Sequence, residues 1–192
     1  MPDSPIAAGK SSFSLIDPEP LFDALDLEHS PVLLDLACGV GNYALAASAR
    51  MGRPGTIFAF DLWREGITRL KEEIDRRKIG NISAQVVDIT RQLPLPDHSA
   101  DVALLATVLH DLLQIHTHSG ALTEIARVLK PQGILAIVEF KKIEGPPGPP
   151  ISIRLEPEAL ETIVTPFGFE KCRSLDLGPY HYAMLLRPRQ IR

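Results

Sequence analysis

Cysteine is scarce in this chain: two in 192 residues, Cys38 and Cys172, far apart. A chain of this length needs no disulfide framework to fold, so both thiols are expected to be free, as in a reducing cytoplasm. No run of five or six basic residues occurs, and the formal net charge is -4 with a pI of about 5.9. Such a chain lacks a cationic stripe to neutralise a phosphate backbone, which argues against a nucleic-acid partner. No apolar stretch approaches the ~20 residues that cross a bilayer, and the start, MPDSPIAAGKSSFSL, lacks the basic head and apolar core of a secretory leader. A cytoplasmic protein with no membrane span is the expectation. Biased tracts and internal repeats are also missing, and 45% hydrophobic with 23% charged residues is the composition of one ordinary globular domain.

What is present is an alternation of apolar runs with helix-periodic segments, the pattern of a parallel sheet covered by helices on both faces. VLLDLA (32–37), TIFAFD (56–61), ISAQVVD (82–88), DVALLATVL (101–109) and GILAIVEF (133–140) read as five buried strands. Between them lie helices over ALAASAR (44–50), over a segment carrying Ile67, Leu70 and Ile74 with Gly80 as its C-terminal cap, and over the stripe Leu122, Ile125, Ala126, Leu129 that Pro131 stops. EGPPGPP continues neither helix nor strand and is expected to be a loop stiffened by fixed proline dihedrals. A helix over EPEALETIV precedes two further strands, FEKCRSLDL and YHYAMLLRP, whose short GP link predicts an antiparallel hairpin at the sheet edge. The expected fold is thus α/β, with seven strands of which the first five are parallel.

Within LLDLACGVGNYAL (33–45), GVGNYA satisfies the spacing G-x-G-x-x-G/A, which lets a ligand approach a helix N-terminus closely. A lone match of this kind is equally a tight turn with no ligand. Three acids add to it: Asp35 in the first strand, Asp61 at the end of the second and Asp88 at the end of the third. In an open parallel sheet these ends face one crevice. Asp61 can accept both hydroxyls of a ribose, and Asp88 can accept an adenine amino group while Ile89 packs on the ring. Helix capping explains one such acid well and three in register poorly.

Taken in order, LLDLACGVG, AFD (59–61), VVD (86–88), PLPDHSADVAL (94–104) and LKPQGILAIVEF (129–140) resemble the successive motifs of class I S-adenosylmethionine-dependent methyltransferases. The resemblance implies a Rossmann-like seven-stranded sheet, mostly parallel with an antiparallel last strand. It also implies S-adenosyl-L-methionine as cofactor, Gly39 and Gly41 beside its methionine part, Asp35 beneath that end, Asp61 at the ribose, and Asp88 with Ile89 at the adenine. Leu62 and Thr107 join the cofactor-binding positions by the same resemblance. Ala37, counted among them too, stands where the family usually has glycine. Residues 32–192 would be the methyltransferase domain and residues 1–31 an N-terminal segment lying as a lid over the pocket.

A nicotinamide-dependent oxidoreductase is the rival reading, but a carboxylate at Asp35 would repel a diphosphate on the helix N-terminus. A protein that holds the cofactor without turnover is the third. Methyl transfer from a sulfonium is an in-line displacement, so alignment of the acceptor dominates, with a base needed only where the acceptor must lose a proton. His110, just past the fourth strand, is the candidate catalytic residue, as base or orienting group, against the plainer reading that it packs beside the cofactor. Asp111 is expected to start the next helix. The spacing of His110, His116 and His118 matches no familiar zinc pattern, so no metal is expected. Tyr43 could close over the methionine tail, and Phe13 could reach the acceptor. TVLH in place of an N/D-P-P-Y/F run, and cysteines not preceded by proline, argue against the DNA methylase classes. Two cysteines are too few for the arsenic methylases. A small-molecule acceptor remains: the HD pair is loosely similar to quinone-biosynthesis and other small-metabolite methylases alike, and names no single substrate.

Overall fold

A computed structural model of the chain describes residues 9–29, 32–51 and 55–189. Its strands are β1 (Val32–Leu36), β2 (Thr56–Asp61), β3 (Ile82–Val86), β4 (Ala100–Ala106), β5 (Leu129–Phe140), β6 (Phe169–Asp176) and β7 (His181–Pro188). They form one seven-stranded sheet in the order β3-β2-β1-β4-β5-β7-β6. The pairs among β1 to β5 are parallel, and β7 runs antiparallel to both β5 and β6. This is the helix-covered, mostly parallel sheet expected from the alternating pattern and the Rossmann-like one that the resemblance implies, with β7 the reversed strand.

The helices are α1 (Glu19–Ala24), α2 (Asn42–Met51), α3 (Arg64–Arg77), α4 (Leu109–Gln114), α5 (His118–Val128) and α6 (Pro157–Val164). Strand residues alternate between the two faces, and both faces are covered, which is why the strand sequences are apolar almost throughout. Leu34 and Leu36 of β1 pack in the cluster that includes Leu122 and Ile125 of α5 and Leu160 of α6. Leu33 packs on the other side with Phe22 of α1, Ala47 of α2 and Leu70 of α3. Arg50 of α2 forms ion pairs with Glu19 and Asp23, tying α1 to the outside of that layer.

Several boundaries differ from the sequence reading, each for a local reason. β3 ends at Val86, so Asp88 lies in a turn beyond the strand. β4 ends at Ala106 because Thr107 takes a left-handed φ of 56°, and Leu109 already opens α4. The α3 helix is capped by Lys78 at φ 54°, not by Gly80; the Lys78 and Ile79 amides close on the carbonyls of Asp75 and Ile74. β5 starts at Leu129, and a register shift opposite Ala100 and Val102 takes up the extra residues before Ile134. The proline loop between β5 and α6 is held by more than its prolines. Buried Arg154 donates to five carbonyls, those of Lys141, Ile143, Gly145, Pro147 and Pro149.

One close approach gives a direct test of the packing. A Cβ on Gly120 of α5 would stand 2.2 Å from the Thr90 carbonyl oxygen, whereas one on Gly80 would meet nothing within 4 Å. Gly120→Ala is therefore expected to lower stability by about 1 to 3 kcal/mol, the usual range for overpacking. Gly80→Ala should leave the urea midpoint nearly unchanged, and equal midpoints for the two variants would contradict the assigned contact.

Candidate functional site

The turn from β1 into α2 holds three residues with positive φ: Ala37 at 55°, Gly39 at 57° and Gly41 at 76°. The two glycines do different jobs. A Cβ on Gly41 would collide with the Leu70 side chain at 2.5 Å, so its missing side chain makes room for α3, while a Cβ on Gly39 would meet nothing within 4 Å. Gly39 thus faces open space. Ala37 adopts a left-handed conformation that costs an alanine roughly 1 to 2 kcal/mol, which is the physical reason glycine suits that position. Cys38 lies in the same turn. Burial, with Asp35 and Asp61 nearby, pushes its thiol well above the ordinary range, so it stays protonated.

Asp35 projects from β1 toward α2, where its Oδ2 accepts the Ala44 N–H at 3.0 Å, so its position is that of a buried cap on the helix start. Burial pushes its carboxyl up to about 7, against the Ala44 bond, with Asp61 adding to the rise. Asp61, at the end of β2, spans the turn: Oδ2 accepts the Gly39 N–H at 2.7 Å and Oδ1 the Trp63 N–H at 2.6 Å. Burial raises its carboxyl too, opposed by the amides of Trp63, Gly39 and Leu62. A carboxylate has about four acceptor sites, so Asp61 keeps lone pairs for further donors. Leu62 beside it is 57% exposed, an unusual position for a leucine and a ready apolar wall for a ligand.

Asp88 closes an Asx turn, its Oδ1 accepting both the backbone N–H and the hydroxyl of Thr90. Its neighbour Ile89 is buried, and the Val87 N–H bonds the Asp61 carbonyl, which keeps this turn beside the end of β2. Thr107, at the end of β4, donates to Ser12 Oγ at 3.2 Å, and Ser12 lies 2.9 Å from the Tyr43 hydroxyl. Phe13 packs edge-on against Tyr43 with ring centroids 5.0 Å apart. At its other end the segment brings Gly9 against Trp63. Residues 9–13 therefore run across the carboxyl edge from β2 to β4; residues 1–8 and 30–31 of the expected N-terminal segment lie outside the described residues.

His110 stands in the first turn of α4, which follows the end of β4 at Ala106, and is 5% exposed. Its Nδ1 is 2.7 Å from Glu139 Oε2, and its backbone N–H reaches Glu139 Oε1 at 3.1 Å. Its Nε2 lies 3.6 Å from Asp111 Oδ1. Asp111 sits in that first turn as expected. Burial alone would lower the imidazole; the bond to Glu139 and the charges of Glu139 and Asp111 outweigh it and the effect of Arg154, so its pKa is raised. Phe140 is edge-on to His110 at 6.2 Å and only 4.2 Å from the His181 ring, with the Arg154 guanidinium 5.5 Å from its centroid. His181 is fully buried with neither ring nitrogen hydrogen-bonded, and burial, Arg154 and Lys141 push it down to about 4.

The structure thus gathers Asp35, Ala37, Gly39, Asp61 and Leu62 at one turn, with Asp88 and Ile89 beside it, and Thr107 and His110 at the ends of neighbouring elements. His118 does not join His110: it packs on Phe167 at 6.3 Å, and no cluster of three metal-ligating side chains occurs among the described residues. Glu139, Arg154 and His181 are the neighbours that sequence reasoning missed. Glu139 had a signal, since it is the lone acid in the apolar run GILAIVEF. Arg154 and His181 had none of comparable strength.

Residues 34–137 match the family model described as a methyltransferase domain. A ubiquinone/menaquinone biosynthesis C-methyltransferase (UbiE) of Hydrogenovibrio crunogenus is 33% identical over 117 residues, 60% of this chain and 44% of that protein. A demethylmenaquinone methyltransferase of Geobacillus kaustophilus is 25% identical over 121 residues, 63% of this chain and 50% of that one. The chain thus spans about half the length of the curated relatives it matches. Among solved structures, a SAM-dependent methyltransferase from Aquifex aeolicus superposes with a TM-score of 0.83 at 26% identity, covering 92% of both chains. The [4+2]-cyclase SpnF shares the fold at 20% identity and a TM-score of 0.71, covering 89% of this chain and 80% of that one.

The raised carboxyl of Asp35 has a consequence for stability. Its folded pKa of about 7 lies above the ordinary 3.8, so the folded state holds the proton more tightly. The stabilisation is therefore complete below the ordinary value and is lost as pH rises through about 7. Asp35→Asn keeps an acceptor for Ala44 without the charge. Its stability relative to wild type should rise from about pH 4 to about pH 7 and stay level above that, measured by urea unfolding; a constant difference would show that Asp35 titrates normally.

Proposed function

Because the chain belongs to the methyltransferase-domain family, we propose that it transfers a methyl group from S-adenosylmethionine to a small-molecule acceptor. The bond from the Gly39 amide to Asp61, with open space beside Gly39, is the observation that carries this reading. The residues present fit the cofactor. Asp61 retains lone pairs for two ribose hydroxyls, Leu62 and Ile89 offer apolar contact to the adenine with Asp88 at its amino group, and Gly39 leaves room beside Ala37 for the methionine part. Gly41 contributes through the shape of the turn. Asp35 acts from beneath, where an ionised carboxylate favours a ligand carrying a sulfonium and an ammonium. When bound, the cofactor supplies an electrophilic methyl; the chain binds it, excludes water and aligns the acceptor.

Residues 9–13 of the N-terminal segment serve in this reading as a lid, supported by the bridge from Thr107 through Ser12 to Tyr43 and by Phe13 on Tyr43. His110 stands at the acceptor end, past Thr107. The names of the relatives point to a quinone-type ring as acceptor, and no helix among the described residues is long and apolar enough to cross a membrane. Free Cys38 and Cys172 suit a cytoplasmic setting. Neither a nicotinamide oxidoreductase nor a non-catalytic binding protein is favoured, because the match to the methyltransferase-domain model spans residues 34–137, which include Asp35, Asp61, Asp88 and His110.

Asp61→Ala should weaken S-adenosylmethionine binding by more than about tenfold, or ~1.4 kcal/mol, in calorimetry of the purified chain. Unchanged affinity would overturn the ribose assignment.

A further inference from the structure

Glu139 is an acid inside an apolar strand of a sheet covered on both faces, and its side chain is wholly buried. A carboxylate taken out of water costs several kcal/mol unless it is paired and hydrogen-bonded. Both its oxygens go to one residue: Oε2 lies 2.7 Å from His110 Nδ1, and Oε1 accepts the His110 backbone N–H at 3.1 Å. Alternation along β5 explains the meeting, since Leu135, Ile137 and Glu139 share the face that α4 covers. A carboxylate at one imidazole nitrogen makes that nitrogen the donor and leaves the lone pair on the other. Nε2 is that other nitrogen, and at 3.6 Å from Asp111 Oδ1 it is beyond good hydrogen-bond length. The charged and titratable groups around the ring are Glu139 from β5, Asp111 from its own helix and Arg154 from the segment after the proline loop. Lys10 acts on Asp111 from the N-terminal segment, and His181 lies behind Phe140.

We propose that Glu139 is a positioning residue that holds His110 as the Nδ1–H tautomer, so that Nε2 removes a proton from the acceptor, which is a phenol or hydroquinone. This rests on the methyltransferase reading. A base works best on a proton whose pKa is not far above its own, which favours a ring hydroxyl, at roughly 10, over an aliphatic alcohol. In the step, Nε2 takes the hydroxyl proton and the phenolate uses an electron pair to bond the methyl carbon. The sulfur–methyl bond breaks and its pair stays on sulfur, so the positive charge lost there reappears as imidazolium. When the new bond forms at a ring carbon instead of oxygen, the ring C–H proton moves to oxygen and restores the phenol.

Nitrogen NMR of the full chain with isotope-labelled histidine tests this, the His110 signals being assigned by their loss in His110→Gln. The expected result is a Nδ1-protonated neutral ring whose titration midpoint falls by about one pH unit or more in Glu139→Gln. With naphthohydroquinone as probe, transfer should rise with pH along the same midpoint. Glu139→Gln should move that midpoint and lower kcat by about 10- to 100-fold, the usual cost of removing a partner that orients a histidine, with KM for S-adenosylmethionine unchanged. A Nε2-protonated ring in the wild type, an unmoved midpoint in Glu139→Gln, or methylation of a tertiary aniline in place of the hydroquinone would overturn the proposal. Absence of S-adenosylmethionine binding in calorimetry would instead overturn the underlying methyltransferase reading, whatever the NMR shows.

Discussion

Parallel strands all release their connections at one edge of the sheet, and β1, with β2 on one side and β4 on the other, is where successive connections part in opposite directions. The opening this leaves is the crevice in which open α/β sheets bind ligands. Everything assigned to the site depends on that divergence. The glycine turn leaves β1 there, Asp61 arrives from β2, and Thr107 and His110 follow β4 across the gap.

Three buried carboxylates interrupt otherwise apolar strands or strand ends, and each is accounted for by where its oxygens go. Asp35 is spent on the start of α2, and its cost shows as a carboxyl raised to about 7. Asp61 joins the ends of two loops through single bonds to Gly39 and Trp63, which leaves acceptor capacity for further donors. Among the described residues, Glu139 is hydrogen-bonded to His110 alone. A sheet buried on both sides does not tolerate unpaired charge, so a polar residue there is satisfied structurally, or used chemically, or both.

Two segments outside the sheet frame the carboxyl edge and the surroundings of His110. The N-terminal stretch is fastened across the carboxyl edge by Ser12 between Thr107 and Tyr43. The proline loop is gathered around Arg154, whose guanidinium also lies over Phe140. Arginine suits this task because its five N–H donors are fixed in one plane, so a single side chain can satisfy several carbonyls of an irregular loop.

Much of this was readable in advance. Period and punctuation located all seven strands, and the ordered motifs that resemble class I methyltransferases carried the cofactor, because both signals are local: a buried strand must be apolar, and a turn at a ligand must lack side chains. Local signals also misled at the margins. Gly80 looked like the α3 cap, yet Lys78 takes the left-handed turn, and Thr107 to Leu109 continued an apolar run that the backbone had already left. What only the tertiary structure decided is which residues meet across distant elements. Glu139 reaches His110 across 29 residues and Ser12 reaches Thr107 across 95. A strand's pattern fixes which side of the sheet a residue faces. Strand order and helix packing determine what stands opposite it.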